Sequence, residues 1–409
     1  MDKKFFVRVD ITLFLSVIAL IVIGVFAIFS ATQSSPSTMD YYIKQMIFGF
    51  IGLIMVVVIS YIPPRYLSSL TYYAYALSLV LLVLVLVFGK TINGNKSWFY
   101  VGGFGIQPSE FAKVATVLSI ANFFYKGEED NPKIKFLDIV KALSFVLIPA
   151  VLIKLENDTG TTLVILSFVI PMFFWAGVSP FLLYAVVTPV FAAVLAFIDF
   201  NYFIVYVIVV LVSLFFFKRH WIPSVSILLL NILSGASVSF MFSKLQPYQQ
   251  NRIKAVFDPT SDPLGSGYNV IQSKIAIGSG GLLGKGFMQG SQTQLRFIPE
   301  QWTDFIFCVI GEEFGLIGAA VVIILFLIVI FRLLSNAYYS RNRFLSIACV
   351  GFASLFFFHM FINIGMTIGI APVIGIPLPF VSNGVSSLLS FLLMIGIAMN
   401  TYRHKEIFL

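Results

Sequence analysis

Residues 11–31, ITLFLSVIALIVIGVFAIFSA, run without one charged side chain. A helix of about 20 apolar residues crosses the roughly 30 Å hydrocarbon layer, and in lipid the backbone must satisfy its own polar groups. Similar runs recur near 42–60, 70–88, 108–125, 139–154, 161–177, 180–198, 201–217, 222–242, 304–331, 344–369 and 380–402. They predict an all-α polytopic membrane protein with about 12 transmembrane helices. Only 11% of the residues are charged and 59% are hydrophobic, against about 25% charge in a soluble domain. The net charge of +8 then reflects the Lys and Arg that set topology, and no nucleic-acid partner is expected. Two cysteines, Cys308 and Cys349, lie in apolar runs and suggest neither a disulfide framework nor a metal cluster. The first run is longer than a signal-peptide core and is read as an uncleaved first helix.

Charge bias between loops gives an orientation. With the N-terminus in the cytoplasm, the cytoplasmic segments hold Lys3, Lys4, Arg8, Arg65, Lys126, Lys133, Lys135, Lys141, Lys218, Arg219, Arg332, Arg341, Arg343, Arg403 and Lys405. The short outer loops hold Lys44, Lys90, Lys96 and Lys154. Positive residues stay inside, so both termini are expected in the cytoplasm and residues 244–303 outside. That loop carries aromatic and β-branched residues, which disordered segments lack, and is expected to fold onto the outer membrane face. Within it, NVIQSKIAI reads as a short amphipathic helix at the interface.

Four polar stretches stand out. In NRIKAVFDPTSDPLGSGYN (251–269), Asp258 and Asp262 each precede a proline. Asp-Pro commonly starts a turn, which suffices for Asp258. Gly265 and Gly267 follow Asp262 and allow a ligand to approach the backbone closely. In NGNKSWFYVGGFGIQPSEFAK (93–113), Glu110 and Lys113 are three residues apart on one helix face and can pair. In KLENDTGTT (154–162), Asp158 is placed to cap the next helix. In FIPEQWTDFIFCVIGEEFG (297–315), Glu312 and Glu313 follow a helix start at Thr303–Asp304 by eight or nine residues. At about 1.5 Å per residue that is roughly 12–14 Å deep, where charges need partners, water or protons. GSGGLLGKG (278–286) fails the P-loop pattern at Ser279 and Gly286. As a backbone cradle for phosphate it is a weak signal. His359, deep in a run, reads as a packed, hydrogen-bonded residue.

Taken in order from about residue 93 to 390, these blocks resemble the SEDS family (shape, elongation, division and sporulation). The resemblance rests on NGNKSWFYVGGFGIQPSEFAK, ENDTGTTLVIL, DPTSDPLGSGYNVIQSKIAIGSGGLLGKG, QGSQTQLRFIPEQWTDFIFCVIGEEFGLIG and GIAPVIGIPLPFVSNGVSSLL. GYNVIQSKIAIGSGG and GKG are closer to the elongation branch, RodA, than to the division branch, FtsW. The chain departs from the family pattern at Asn383 and Val385, which replace a Tyr-Gly-Gly run, and at Trp302, where His is common.

The resemblance implies a single integral membrane domain over 1–409, a ten-helix core with a two-helix insertion within 180–242, and an extracytoplasmic catalytic loop at 244–303. It implies a peptidoglycan glycosyltransferase of the bacterial plasma membrane that polymerises lipid II during elongation, beside a class B penicillin-binding protein. Asp262 matches the family's essential aspartate. Glu110, Lys113, Asp158 and Glu300 fall at motif positions. For inverting transfer, Asp262 would be the general base, and Arg252, Lys254, Lys113 and Lys274 would hold the pyrophosphate, with or without a divalent cation (Mg or Mn). The rival readings are a lipid II flippase, a division-type polymerase and a non-catalytic scaffold. A flippase distributes polar residues through both bilayer halves, whereas here they gather at one face.

Overall fold

Proline and short polar residues set the helix ends in this chain, and apolar runs fill what lies between. Asp10 accepts from Leu13 N (3.1 Å) and so caps the first helix. Pro64 and Pro180 each sit at a first helical position, where their missing N–H costs nothing. Asn342 accepts from Leu345 N (3.1 Å) at the head of another helix.

A computed structural model of the protein describes residues 9–33, 38, 40–92, 94–101, 104–130, 134–217, 221–246, 249–253 and 266–404. Its elements are α1 (Ile11–Thr32), α2 (Tyr41–Ser60), α3 (Pro64–Phe88), β1 (Lys90–Ile92), β2 (Asn95–Val101), β3 (Phe104–Ile106) and α4 (Pro108–Asp130). Then come α5 (Phe136–Leu155), α6 (Thr159–Ser167), α7 (Val169–Ala176), α8 (Pro180–Ile198), α9 (Phe200–Phe216) and α10 (Trp221–Ser243). The last are α11 (Ser266–Gly280), α12 (Ser291–Gln294), α13 (Ile306–Tyr339), α14 (Arg343–Thr367) and α15 (Val385–Arg403). Among the described residues, 10 helices are long and apolar enough to cross a membrane, with α6 and α7 forming one of them. The more polar α4 and the shorter α9 complete the twelve predicted runs. The chain is a large polytopic helical membrane protein.

The chain divides into two units, Met1–Met172 with Ala255–Leu409, and Phe173–Lys254. The smaller unit packs α8, α9 and α10 around Phe181, Val210, Leu214 and Ile227. A polar seam runs through it. Asn231 Nδ2 donates to Thr188 Oγ1 (3.0 Å), Tyr206 Oη to Thr188 O (3.1 Å) and Ser234 Oγ to Pro189 O (2.6 Å).

In the larger unit α14 and α15 are the most enclosed helices, with Phe352, Phe356, Phe391 and Leu392 fully buried. One end of this unit carries a small antiparallel meander, β1-β2-β3, in which Lys90 pairs with Trp98 and Phe99 with Ile106. At the opposite end Arg332 Nε donates to both oxygens of Asp10 (3.1 and 3.0 Å), and Asn336 Nδ2 adds a third bond (3.2 Å).

Candidate active site

The meander runs into α4, and the first turns of α4 carry the densest polar cluster of the hairpin end. Gln107 N donates to Ser386 Oγ (3.0 Å), which fixes the head of α4 against α15. One turn on, Glu110 Oε2 and Lys113 Nζ stand 3.0 Å apart, as their three-residue spacing predicts. Ser390 Oγ on α15 donates to Glu110 Oε2 (3.1 Å). Lys113 is 0% exposed, and its ammonium lies 5.2 Å from the centroid of the Phe391 ring.

Lys113 Nζ also donates to His359 Nε2 on α14 (3.2 Å). His359 Nδ1 lies 3.0 Å from Pro377 O. A carbonyl only accepts and an ammonium only donates, so the imidazole carries its proton on Nδ1 and offers a lone pair at Nε2. His359 is therefore a member of the cluster, which its place in an apolar run did not reveal. Asn363, one turn further along α14, donates to Asp304 O (2.9 Å) and Ile376 O (2.7 Å). Ser382 Oγ donates to Thr303 O (2.6 Å) and accepts from Leu378 N (2.8 Å). These bonds pin residues 368–384 over the cluster. Gly160 meets this segment so closely that a Cβ there would lie 3.2 Å from Ile374 O.

Asp158 caps α6 as expected, accepting from Thr161 N (2.9 Å) and Thr161 Oγ1 (2.7 Å). It does more, because its Oδ2, which takes the Thr161 hydroxyl, also accepts from Gln107 Nε2 (2.8 Å) and ties α6 to the head of α4. Burial raises the Asp158 carboxyl above its usual range and the Glu110 charge adds to this, while the Thr161 hydrogen bonds and the Lys113 charge oppose it. Two residues back, Glu156 is fully buried, and neither carboxyl oxygen has a hydrogen-bond partner among the described residues. Burial first, and then the charge of Asp158, push its carboxyl up to about 9.

Three other predicted site residues, Lys274, Glu300 and Arg252, are exposed. Lys274 on α11 is exposed, with its side chain against the turn at Gly369. Glu300 is exposed on a turn in the left-handed region (φ 52°). Arg252 is exposed and belongs to the smaller unit. Asp262, Asp258 and Lys254 lie outside the described residues. Among the described residues no group of three or more His, Cys, Asp and Glu is placed to hold a metal ion.

Glu312 and Glu313 correct the sequence reading. The helix begins at Ile306, not at Thr303, and breaks at Gly315 (φ 64°, ψ −159°). The Gly-rich segment folds back onto that break. Lys285 N and Gly286 N donate to the carbonyls of Glu312 and Glu313 (3.0 Å each), and Leu316 N and Ile317 N donate to Gly281 O (2.9 Å) and Leu282 O (3.2 Å). Close backbone approach requires glycine at Gly284, where a Cβ would lie 2.1 Å from Glu313 O. The Glu312 carboxylate takes Lys285 Nζ (2.8 Å), Gln292 N (2.9 Å), Thr293 N (2.9 Å) and Thr293 Oγ1 (2.7 Å). Glu313 accepts from Ser30 Oγ on α1. Glu312 is thus clasped through both oxygens, and Glu313 is held through Oε1 while its Oε2 has no hydrogen-bond partner among the described residues. GSGGLLGKG spends the N–H groups of Gly284, Lys285 and Gly286 on its own turn and the helix, so it is no phosphate cradle. Nor does α11 simply lie on the interface. Gly280 packs on Gly311 O, and Ile277 on Gly311, so that α11 seats against α13.

The family model for FtsW, RodA and SpoVE, described as cell cycle protein, matches residues 10–203 and 181–407. This chain belongs to that family. It is 35% identical to the peptidoglycan glycosyltransferase MrdB of Escherichia coli (strain K12) over 99% of its own length and 97% of the relative's. It is 33% identical to the peptidoglycan glycosyltransferase RodA of Treponema pallidum (strain Nichols), covering 96% of each chain. Among solved structures it matches a chain of "Structural coordination of polymerization and crosslinking by a peptidoglycan synthase complex", with TM-score 0.70 and 28% identity, over 97% of this chain and 98% of that one.

Proposed function

We propose that this SEDS protein is a peptidoglycan glycosyltransferase of the elongation type, polymerising lipid II at the outer face of the bacterial plasma membrane. The observation that carries this reading is similarity over essentially the whole length to enzymes of that name. The hairpin end is the outer face, both termini are cytoplasmic, residues 180–242 include a two-helix insertion, and 244–303 is the catalytic loop. The crosslinking partner is a class B penicillin-binding protein, a reading supported by the likeness to a chain of a peptidoglycan synthase complex.

In the reaction, the 4-hydroxyl of an acceptor N-acetylglucosamine attacks the anomeric carbon of the donor chain. The new C1–O4 bond forms as the bond from C1 to the pyrophosphate oxygen breaks, and the α-linked donor becomes a β-linked product. Asp262 takes the hydroxyl proton. The leaving lipid pyrophosphate is held by Lys274, Arg252 and Lys254. Lys113 is already committed to Glu110 and His359. It organises the site as a fixed buried cation rather than reaching out as a clamp. With Asp158, Glu110 joins the head of α4 to α6 and α15. Glu300 contributes at the rim of the loop.

The test is glycan synthesis from purified lipid II, with a transpeptidase-inactive penicillin-binding protein present. Asp262→Asn is expected to abolish polymer on gels while lipid II binding persists. Normal glycan strands from that variant would remove Asp262 as the base.

A further inference from the structure

Residues 281–288, GLLGKGFM, carry apolar side chains that the proposed reaction does not use. Leu282 and Leu283 are 68% and 79% exposed, and Phe287 and Met288 are exposed beside them. A contiguous patch of this kind marks contact with another molecule or with a membrane. Two fastenings set its depth. Leu316 N and Ile317 N, at the head of the limb of α13 beyond Gly315, donate to Gly281 O and Leu282 O. That limb runs to Tyr339 and is about 36 Å long at 1.5 Å per residue, enough to cross the roughly 30 Å hydrocarbon layer. On the other side, the Phe287 ring meets Phe26 and Phe29 of α1 (centroids 5.9 and 6.2 Å). Phe26 is itself exposed, six residues inside the end of α1 at Thr32, which is about 9 Å along the helix axis. This end of α1 faces the hairpin end of the unit, because Gln301 Nε2 donates to Ala31 O (2.9 Å) and Trp302 O accepts from Asn383 N (3.0 Å).

We propose that residues 281–288 form a re-entrant turn whose Leu282, Leu283 and Phe287 side chains insert among the acyl chains of the leaflet at the hairpin end. The sequence reading set all of 244–303 outside the membrane, and this turn is thereby moved below the surface. Irregular backbone persists at that depth only where protein satisfies its polar groups. Gly284 N donates to Gly280 O (2.9 Å), and Lys285 N and Gly286 N donate to the carbonyls of Glu312 and Glu313. Gly281 O and Leu282 O are taken by the head of the long limb. The one charge in the segment, Lys285, is drawn back to Glu312 Oε1 and Ser291 Oγ (2.8 Å each). What faces outward is apolar and continuous with the exposed faces of two spans, Phe26 on α1 and Leu316 and Ile317 on α13. Acyl chains cover those faces, and the same chains cover the turn. The turn is a membrane anchor that fixes the depth of the segment joining α11 to α12. This needs only the membrane character of the chain and not its reaction.

The experiment uses the full-length protein in nanodiscs of phosphatidylethanolamine and phosphatidylglycerol. Leu283→Cys, in a background of Cys308→Ser and Cys349→Ser, is labelled with an environment-sensitive nitrobenzoxadiazole dye. Thr91→Cys, on an exposed residue of β1, carries the same dye as the aqueous reference. Two quenchers are used, a phosphatidylcholine bearing a doxyl group high on its acyl chain and iodide in the buffer. The dye at 283 is expected to emit to the blue of the reference, to lose most of its emission to the doxyl lipid and to lose little to iodide. The dye at 91 shows the reverse order. Leu282→Cys repeats the measurement should Leu283→Cys fail to fold. Iodide quenching at 283 equal to that at 91 would place the turn in water and overturn the proposal. A blue-shifted dye quenched by neither agent would mean that protein covers the turn, which overturns it equally. Loss of the doxyl quenching on adding a penicillin-binding protein or lipid II would make the patch a docking surface for that molecule, and the lipid assignment would fall.

Discussion

Glu312 and Glu156 are the same residue type and both are 0% exposed, yet they live in opposite surroundings. Glu312 is saturated by a lysine, two backbone N–H groups and a threonine hydroxyl. Glu156 has none of these. The first arrangement is what a structural carboxylate requires, since a buried charge survives only when paired and hydrogen-bonded. The second favours the uncharged form, because burial and the charge of Asp158 both oppose ionisation. The contrast separates a paired carboxylate that fastens residues 285–293 to α13 from an unpaired one that burial keeps from ionising.

Three changes test that contrast, beginning with the largest. Glu312→Ala strands Lys285 and the 292–293 backbone, and unfolding in detergent is expected to show a loss of about 3 kcal/mol or more. A loss under about 0.5 kcal/mol, the size of an ordinary surface change, would mean the clasp is ornamental. Glu156→Gln should move the other way. Because the folded-state carboxyl sits at about 9 and the unfolded one near its ordinary value, the unfolded chain binds fewer protons between those limits. Wild-type stability therefore falls as pH rises through that window, by up to about 1.4 kcal/mol per pH unit, and levels off above it. The Gln variant lacks this slope, so its melting temperature should overtake that of wild type as pH goes from 6 to 9. Parallel curves would show that Glu156 is ionised throughout. The smallest effect is that of Thr293→Ala, which removes one of several donors to Glu312 and is expected to cost about 1 kcal/mol in the same unfolding measurement.

Much of this architecture is legible in the chain itself because lipid imposes a length and a polarity on each span. All twelve apolar runs return as helices. The Glu110–Lys113 pair follows from helical spacing, and the Asp158 cap from its position before an apolar run. His359 was out of reach, because its place beside Lys113 depends on how α14 packs against α4. The clasp at Glu312 was missed for a related reason. Hydropathy extends the α13 run smoothly across Gly315, and only a backbone angle that glycine permits ends the first limb there. One signal for Glu156 was present and unused: an acidic residue at the end of α5, where the helix dipole favours a cation.

The break at Gly315 also divides α13 into two limbs of unequal length. Its second limb, from Leu316 to Tyr339, is about 36 Å long at 1.5 Å per residue, enough to cross the hydrocarbon by itself. The stub before the break is fastened to residues 280–294 and to α11. The break thus separates a short limb held by residues 280–294 and α11 from a long one whose Leu316, Ile317 and Phe331 side chains stay exposed to whatever apolar surface surrounds them.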